Sequence, residues 1–442
     1  MSKAIVDEGF LERTFHLREK GTNVRTEVIA GITTFMTMAY IIFVNPSICQ
    51  ETGMPFAALM YATIASSVLA TVLMAFLANY PFALAPGMGL NAYFTYSVVL
   101  GMGMPWQTAL GAVFISGVVF VVLSVSHVRE EIVNAVPGTL KNAIGAGIGL
   151  FIAFIGFKGS GIMVADPATF VAIGNLTEPN TVVTILGLVI TSILLVRGVK
   201  GAILLGILIS TAVAIPFGVT TLPKGIIQWP SLSAWEPILF KLDIRGALSW
   251  GLFDVIFAFL FVDMFDTVGT LIGVSTRAGF LDEKGRLPRA DKALLADSIG
   301  TIGGAMFGTP TVTTYVESAS GVAAGGRTGL TALTTAVCFA LAAFFLPVVS
   351  IVPEAATAPA LILVGVMMMG AITNIDWNDF SEAIPALVTL AGMPFTFSIA
   401  NGIAFGFVTY SAIKLLSGRG KEVHWVIHVL ALLFVIRFIY LA

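Results

Sequence analysis

Charge is what this 442-residue sequence has least of: Asp, Glu, Lys and Arg make up 11% of it, against roughly a quarter in soluble proteins. With 57% hydrophobic residues, a single water-soluble core could not hide so much apolar surface behind so few charges. The same figures exclude a disordered chain. Cysteine is nearly absent; Cys49 and Cys338 both lie in apolar runs, which gives neither a disulfide framework nor metal-ligand spacing. The four histidines form no metal or triad arrangement, and a net charge of −2 offers no basic footprint for nucleic acid. No nucleophile–base pair is found, so neither an enzyme nor a cofactor is expected. Gly145-Ala-Gly-Ile-Gly149 opens a membrane span with no strand before it, and is not a dinucleotide fingerprint. What remains is an all-α polytopic membrane protein, solvated mostly by lipid.

Long charge-free stretches locate the spans. Residues 52–128 contain no Asp, Glu, Lys or Arg, room for three crossings of about 20 residues each. Spans are expected near 27–45, 57–79, 82–100, 107–126, 140–157, 181–197 and 200–219. A second set follows near 248–275, 292–308, 310–325, 329–352, 357–375, 398–416 and 423–441. The mixed-charge residues 1–26 read as a cytoplasmic N-terminal segment. Basic residues then fall in cytoplasmic loops: Arg129 and Lys141, Arg197 and Lys200, and the group Arg277, Lys284, Arg286, Arg289 and Lys292. Lys414, Arg419 and Lys421 break the pattern, falling outside on a strict fourteen-span count. An interfacial or re-entrant helix over 382–397 is the expected remedy.

Seven spans per half give the halves opposite orientation, as in inverted-repeat transporters. Pro86-Gly-Met-Gly-Leu-Asn-Ala-Tyr93 in span three and Pro310-Thr-Val-Thr-Thr-Tyr315 in span ten are both Pro-interrupted and occupy corresponding positions. Matched broken segments are the best sequence pointer to a transporter's binding site.

Acids enter the membrane where bases do not. Asp254, Asp263 and Asp266 lie between Arg245 and Arg277, and Asp297 and Glu317 lie between Lys292 and Arg327. A charge at the bilayer centre costs about 2.5–3.5 kcal/mol on insertion scales, so such residues face a cavity or the bundle interior. Asp266 and Glu317 are the main candidates for substrate and proton contact. Asp263, one helical turn before Asp266, and Asp297 are further proton-coupling candidates, while Asp254 reads as interfacial. Asn91 offers an amide that both donates and accepts, after Gly87 and Gly89, where the backbone is open to close approach. Acids plus an amide suit a flat, neutral ligand rich in donors and acceptors. They suit an anion or a bare metal ion poorly, so no metal site is expected.

These segments resemble the nucleobase–cation symporter (nucleobase–ascorbate transporter) superfamily, in its AzgA-like guanine/hypoxanthine permease branch. The matching elements are Gly31–Tyr40 with Asn45-Pro46, Ala85–Tyr93, Phe265-Asp-Thr-Val-Gly-Thr270, Thr314–Ser318, Gly321–Gly325, Ala358–Leu361 and Met393-Pro394. The resemblance implies about fourteen transmembrane segments in two inverted seven-span repeats, with short extended stretches pairing in spans three and ten. It implies a core domain (27–126 and 248–352) and a gate domain (127–220 and 353–442). It further implies substrate contacts from Gly89, Asn91, Asp266, Tyr315, Val316, Glu317 and Ser318. The expected activity is proton-coupled import of guanine and hypoxanthine, with xanthine a further family substrate, by alternating access. The expected setting is the inner membrane, with a purine nucleobase, a proton and lipid as partners and a homodimer among the assemblies open to it. An adenine permease of the same family and an anion carrier on the same fold are the alternatives.

Overall fold

The computed structural model describes residues 9–125, 135–223, 225–249, 253–282 and 286–440. Arg129, Lys284 and the side chains of Asp254 and Arg277 lie outside the described part, so the roles expected of them are not addressed. Among the described residues, nine helices are long and apolar enough to cross a membrane, from Val24–Thr52 to Ile399–Leu416. Three shorter apolar helices accompany them, Ala202–Ala214, Phe380–Phe395 and Trp425–Ile436. In lipid a helix satisfies its own backbone hydrogen bonds, which is why apolar runs become helices here whatever their local propensity.

Two segments depart from continuous helix. Strand β1 (Leu84–Pro86) pairs antiparallel with β4 (Val312–Thr314), matching Leu84 to Thr314, Ala85 to Thr313 and Pro86 to Val312. The short extended stretches expected in spans three and ten are therefore present. Each gives way to a short helix, Met88–Ala92 and Ser318–Ala323. A second sheet, the hairpin β2 (Met163–Asp166) and β3 (Phe170–Ile173), connects the helices Gly138–Gly159 and Pro179–Val196.

The first span is also interrupted. Helix Val24–Met38 ends in a turn at Ala39-Tyr40, and a new helix runs from Ile41 to Cys49. Asn45 then joins three parts of the bundle, its amide donating to Thr63 (2.7 Å) and Thr309 (2.9 Å) while its oxygen accepts from the Cys49 thiol. Such a fully satisfied buried amide fixes helix register.

Glu27, which the sequence did not single out, is fully buried. Its carboxylate accepts from the backbone N–H groups of Arg327, Thr328 and Thr331 and from the Thr328 and Thr331 hydroxyls, at 2.6–3.2 Å. These donors begin the Gly329–Ala342 helix, whose first N–H groups have no partner within the helix and whose dipole favours an anion. Asn79, at φ 51°, accepts from Gly329 N–H on the same terminus and donates to the Phe15 carbonyl. The N-terminal segment is thus docked rather than loose: Phe15 and Leu17 are buried beside Leu330 and Ala332.

At the other end of the chain, Phe380–Phe395 packs tightly against Ile399–Leu416. A Cβ on Gly402 would lie 2.3 Å from Met393, and one on Gly406 would lie 2.0 Å from Thr389. The two helices form an antiparallel pair. The stretch expected as interfacial or re-entrant is helical and packs on the helix that follows, which brings Lys414 and Arg419 to the same end of the pair as Asp379. Arg419 bonds Asp379 at 2.7 Å, and the buried Lys414 bonds Glu382 at 2.6 Å. Arg419 and then Ser381 hold the Asp379 carboxyl well below the usual carboxylate range, and Arg419 also lowers Glu422.

Two outcomes follow. Glu27→Ala leaves several buried donors unsatisfied and should destabilise the protein by about 2–4 kcal/mol, read as a lower thermal midpoint in detergent. The Asp379–Arg419 link is complete above the ordinary carboxylate pKa of about 4 and is lost only as pH falls through the lower folded value. Hydrogen exchange should therefore find loop 417–423 equally protected from pH 7 down to about pH 4. Arg419→Gln should remove that protection.

Candidate functional site

The strand pair sets the site. Because β1 and β4 each supply the other's backbone partners, both chains can stop being helical deep in the bundle without stranding polar groups. The pairing extends beyond the strands: Tyr315 N–H donates to the Ala83 carbonyl and Gly87 N–H to the Thr311 carbonyl, each at 3.0 Å. Two side chains lock it. The Tyr315 hydroxyl donates to the Pro86 carbonyl at 2.6 Å, and the Ser318 hydroxyl accepts from Ala83 N–H at 3.0 Å. Tyr315 and Ser318 thus join the two broken segments to each other.

Beside this junction the acids converge. Asp266, on the Phe253–Ala278 helix, precedes Thr267, whose hydroxyl bonds Thr313 of β4, and Glu317 starts the short helix after β4, so the two acids flank one strand. The Tyr40 hydroxyl donates to Glu317 Oε1 at 2.5 Å. Residues 312–315 and Ser318 are buried, yet Val316 between them is 52% exposed and Glu317 is half-buried. The turn between strand and helix therefore meets open space.

Asp297 and Asp263 lie behind the strands. Thr267 donates to Asp297 Oδ1 at 2.9 Å and shares a 2.8 Å hydrogen bond with Thr313 of β4. Thr301 contacts Asp263 at 3.3 Å, donates to the Val312 carbonyl at 3.0 Å and accepts from Val312 N–H. Each aspartate thus reaches β4 through a threonine hydroxyl. The Thr267 link follows Asp266 directly in the sequence, so one helix face presents an acid to the site and the next residue braces the strand beneath it.

Span three contributes two residues in different ways. Asn91 is fully buried, and neither its amide nitrogen nor its oxygen has a hydrogen-bond partner among the described residues. A buried amide left so is costly unless something else uses it. Gly89 packs closely: a Cβ there would lie 2.5 Å from Ile148 Cγ2, with Ile399 also in contact. Its missing side chain lets the short helix approach Gly138–Gly159, the helix that carries Ile148.

Asp266, Tyr315 and Glu317 are brought together, with Val316 and Ser318 on the same turn. Asn91, Asp263 and Asp297 sit on adjoining elements. Tyr40 and Thr267 were in the quoted motifs but carried no assigned role. Their signal was a hydroxyl at a helix break and a hydroxyl next to a membrane acid. Glu27 gave no such signal, lying where charged lead-in meets the first span. Asn91→Leu should retain or raise the thermal midpoint in detergent, since the amide has no partner among the described residues to lose.

Comparison with known proteins places this geometry. The sequence model of a permease family matches residues 25–405. The guanine/hypoxanthine permease PbuO of Bacillus subtilis is 46% identical, covering 96% of this chain and 99% of that protein. The adenine permease AdeP of Escherichia coli is 43% identical, over 98% and 97% of the two chains. Among solved structures, the transmembrane domain of the cyanobacterial bicarbonate transporter BicA superposes with a TM-score of 0.63 at 14% identity, covering 86% of this chain and 97% of that one. SLC26A9 gives a TM-score of 0.61 at 10% identity, over 92% and 67%. At those identities the likeness is one of fold.

Proposed function

The chain belongs to the nucleobase–ascorbate transporter family of permeases, and on that premise we propose that it imports guanine and hypoxanthine together with a proton. It is a multi-span membrane transporter and not an enzyme. The observation that carries the proposal is the placement of Asp266 and Glu317 about β4 at the β1–β4 junction, with the Asn91 amide, which has no partner among the described residues, on the adjoining short helix. A purine is flat, neutral and edged with N–H donors and lone-pair acceptors. Carboxylates accept from its N–H groups, and an amide answers either kind of edge.

In the proposed cycle the strand junction and its flanking helices form a core that moves against the remaining helices, exposing the site alternately to the two sides. Residues 27–126 and 248–352 are assigned to that core and residues 127–220 and 353–442 to the gate. Asp266 and Glu317 carry substrate and are the first candidates for the coupled proton, with Asp297 and Asp263 as relays through Thr267 and Thr301. The expected setting is the inner membrane, N-terminus inside, where a proton gradient can drive accumulation. The preference for 6-oxo purines over adenine rests on the Ala85–Tyr93 and Phe265–Thr270 motifs, because identity to the two kinds of permease is nearly equal.

An anion carrier is the second reading, favoured by the fold shared with bicarbonate and SLC26 transporters. Against it stands the site itself: residues 293–326 contain no Lys or Arg, and an anion facing two acids would be repelled.

Cells expressing the protein should accumulate labelled hypoxanthine, and collapse of the proton gradient should abolish accumulation. Guanine should compete strongly, adenine and uracil weakly, and bicarbonate not at all. Glu317→Gln and Asp266→Asn should each abolish uptake while the protein still reaches the membrane. Uptake unaffected by a protonophore would remove the coupling, and stronger competition by adenine would reverse the assigned preference.

A further inference from the structure

We infer that Tyr40 is a ligand-binding residue of this site, the donor half of a donor–acceptor pair whose acceptor is Glu317. The inference rests on the nucleobase reading above and deepens it. Tyr40 sits in the turn where the first span breaks, between helices ending at Met38 and beginning at Ile41. That break aims a buried phenol at the turn after β4, and its hydroxyl donates to Glu317 Oε1 at 2.5 Å.

One helical turn earlier, Thr37 anchors the same approach. Its hydroxyl shares a 2.8 Å hydrogen bond with Ser320 and reaches the Glu317 carbonyl at 3.5 Å. The first span is thereby fastened to the turn by Thr37, while the Tyr40 hydroxyl bonds the carboxylate. If holding the two segments together were the sole need, Thr37 would meet it. A phenol aimed at an accessible carboxylate instead presents a donor and an acceptor side by side, next to the exposed Val316.

Every nucleobase edge that pairs an N–H with a neighbouring carbonyl or ring nitrogen is complementary to that arrangement. When the ligand N–H donates to Glu317, the phenol is released from the carboxylate and donates to the adjacent ligand acceptor. No proton changes owner in this exchange. The ligand-free site keeps its carboxylate hydrogen-bonded, and the loaded site satisfies both groups and both ligand atoms. The chemistry recognised is the amide-like edge, so Tyr40 sets affinity and leaves the choice among bases to other contacts.

The test is hypoxanthine binding to the purified full-length protein in detergent, with uptake kinetics in parallel. Tyr40→Phe removes one hydroxyl and keeps the ring. It should weaken binding by about 10- to 100-fold, the cost of leaving the ligand's acceptor unpaired in a buried site, and raise KM by a similar factor with Vmax within about twofold. Thr37→Val, which cuts the neighbouring anchor only, should leave the Kd within about threefold. As an independent readout, 3-fluorotyrosine placed at position 40 should give a fluorine resonance that moves when hypoxanthine is added.

An unchanged Kd in Tyr40→Phe overturns the inference, as does an equal loss in Thr37→Val, which would assign the effect to the anchor. A fluorine resonance that ignores hypoxanthine overturns it even if Tyr40→Phe does not fold. If the wild-type protein binds no nucleobase, the functional reading itself fails; if it binds and Tyr40→Phe binds equally well, only the role of Tyr40 is lost.

Discussion

The rest of this structure depends on three residue pairs, Leu84–Pro86 against Val312–Thr314. Non-helical backbone deep in a lipid-solvated bundle must find partners inside the protein. Here two segments more than two hundred residues apart meet that demand for each other. The pairing frees the turns that follow, and those turns hold Glu317 on one side and Asn91 on the other. Without β4, β1 would leave buried amides and carbonyls unmet, and neither helix could start where it does. Pro86 and Pro310 fit this arrangement because proline does not propagate a helix.

Around that junction hydroxyls do most of the connecting. Thr267 and Thr301 link aspartates to β4, Tyr315 closes onto Pro86, and Tyr40 closes onto Glu317. Hydroxyls suit this work because each both donates and accepts and none adds charge to a low-dielectric interior. Two placements of buried charge stand out. One is the Asp266–Glu317 pair. The other is Glu27, whose carboxylate takes the first N–H groups of the Gly329–Ala342 helix and so fixes the first span against the segment leaving the site.

The bundle ends obey ordinary surface electrostatics. Arg419, Asp379, Glu422, Glu382 and Lys414 neutralise one another across three chain segments. Lys414 and Arg419, which contradict a simple loop rule when read along the sequence, are in space halves of ion pairs.

The sequence by itself determined that this is a multi-span membrane transporter, that the segments around Pro86 and Pro310 break as helices, and that acids without neighbouring bases gather between residues 254 and 317. Each of these is a matter of composition or of order along one chain: lipid selects apolar runs, proline interrupts helices, and a membrane acid needs a reason to be there. Only the tertiary structure decided which groups meet. Tyr40 and Glu317 are separated by 276 residues in the chain yet share a hydrogen bond, Glu27 caps a helix that starts 302 positions later, and Phe380–Phe395 proves to be a partner for the helix that follows. Hydrogen bonds are short and directional, so which hydroxyl serves which carboxylate is fixed by helix packing. That packing is set by where the bundle's glycines let its helices come close, as Gly402 and Gly406 do against Met393 and Thr389.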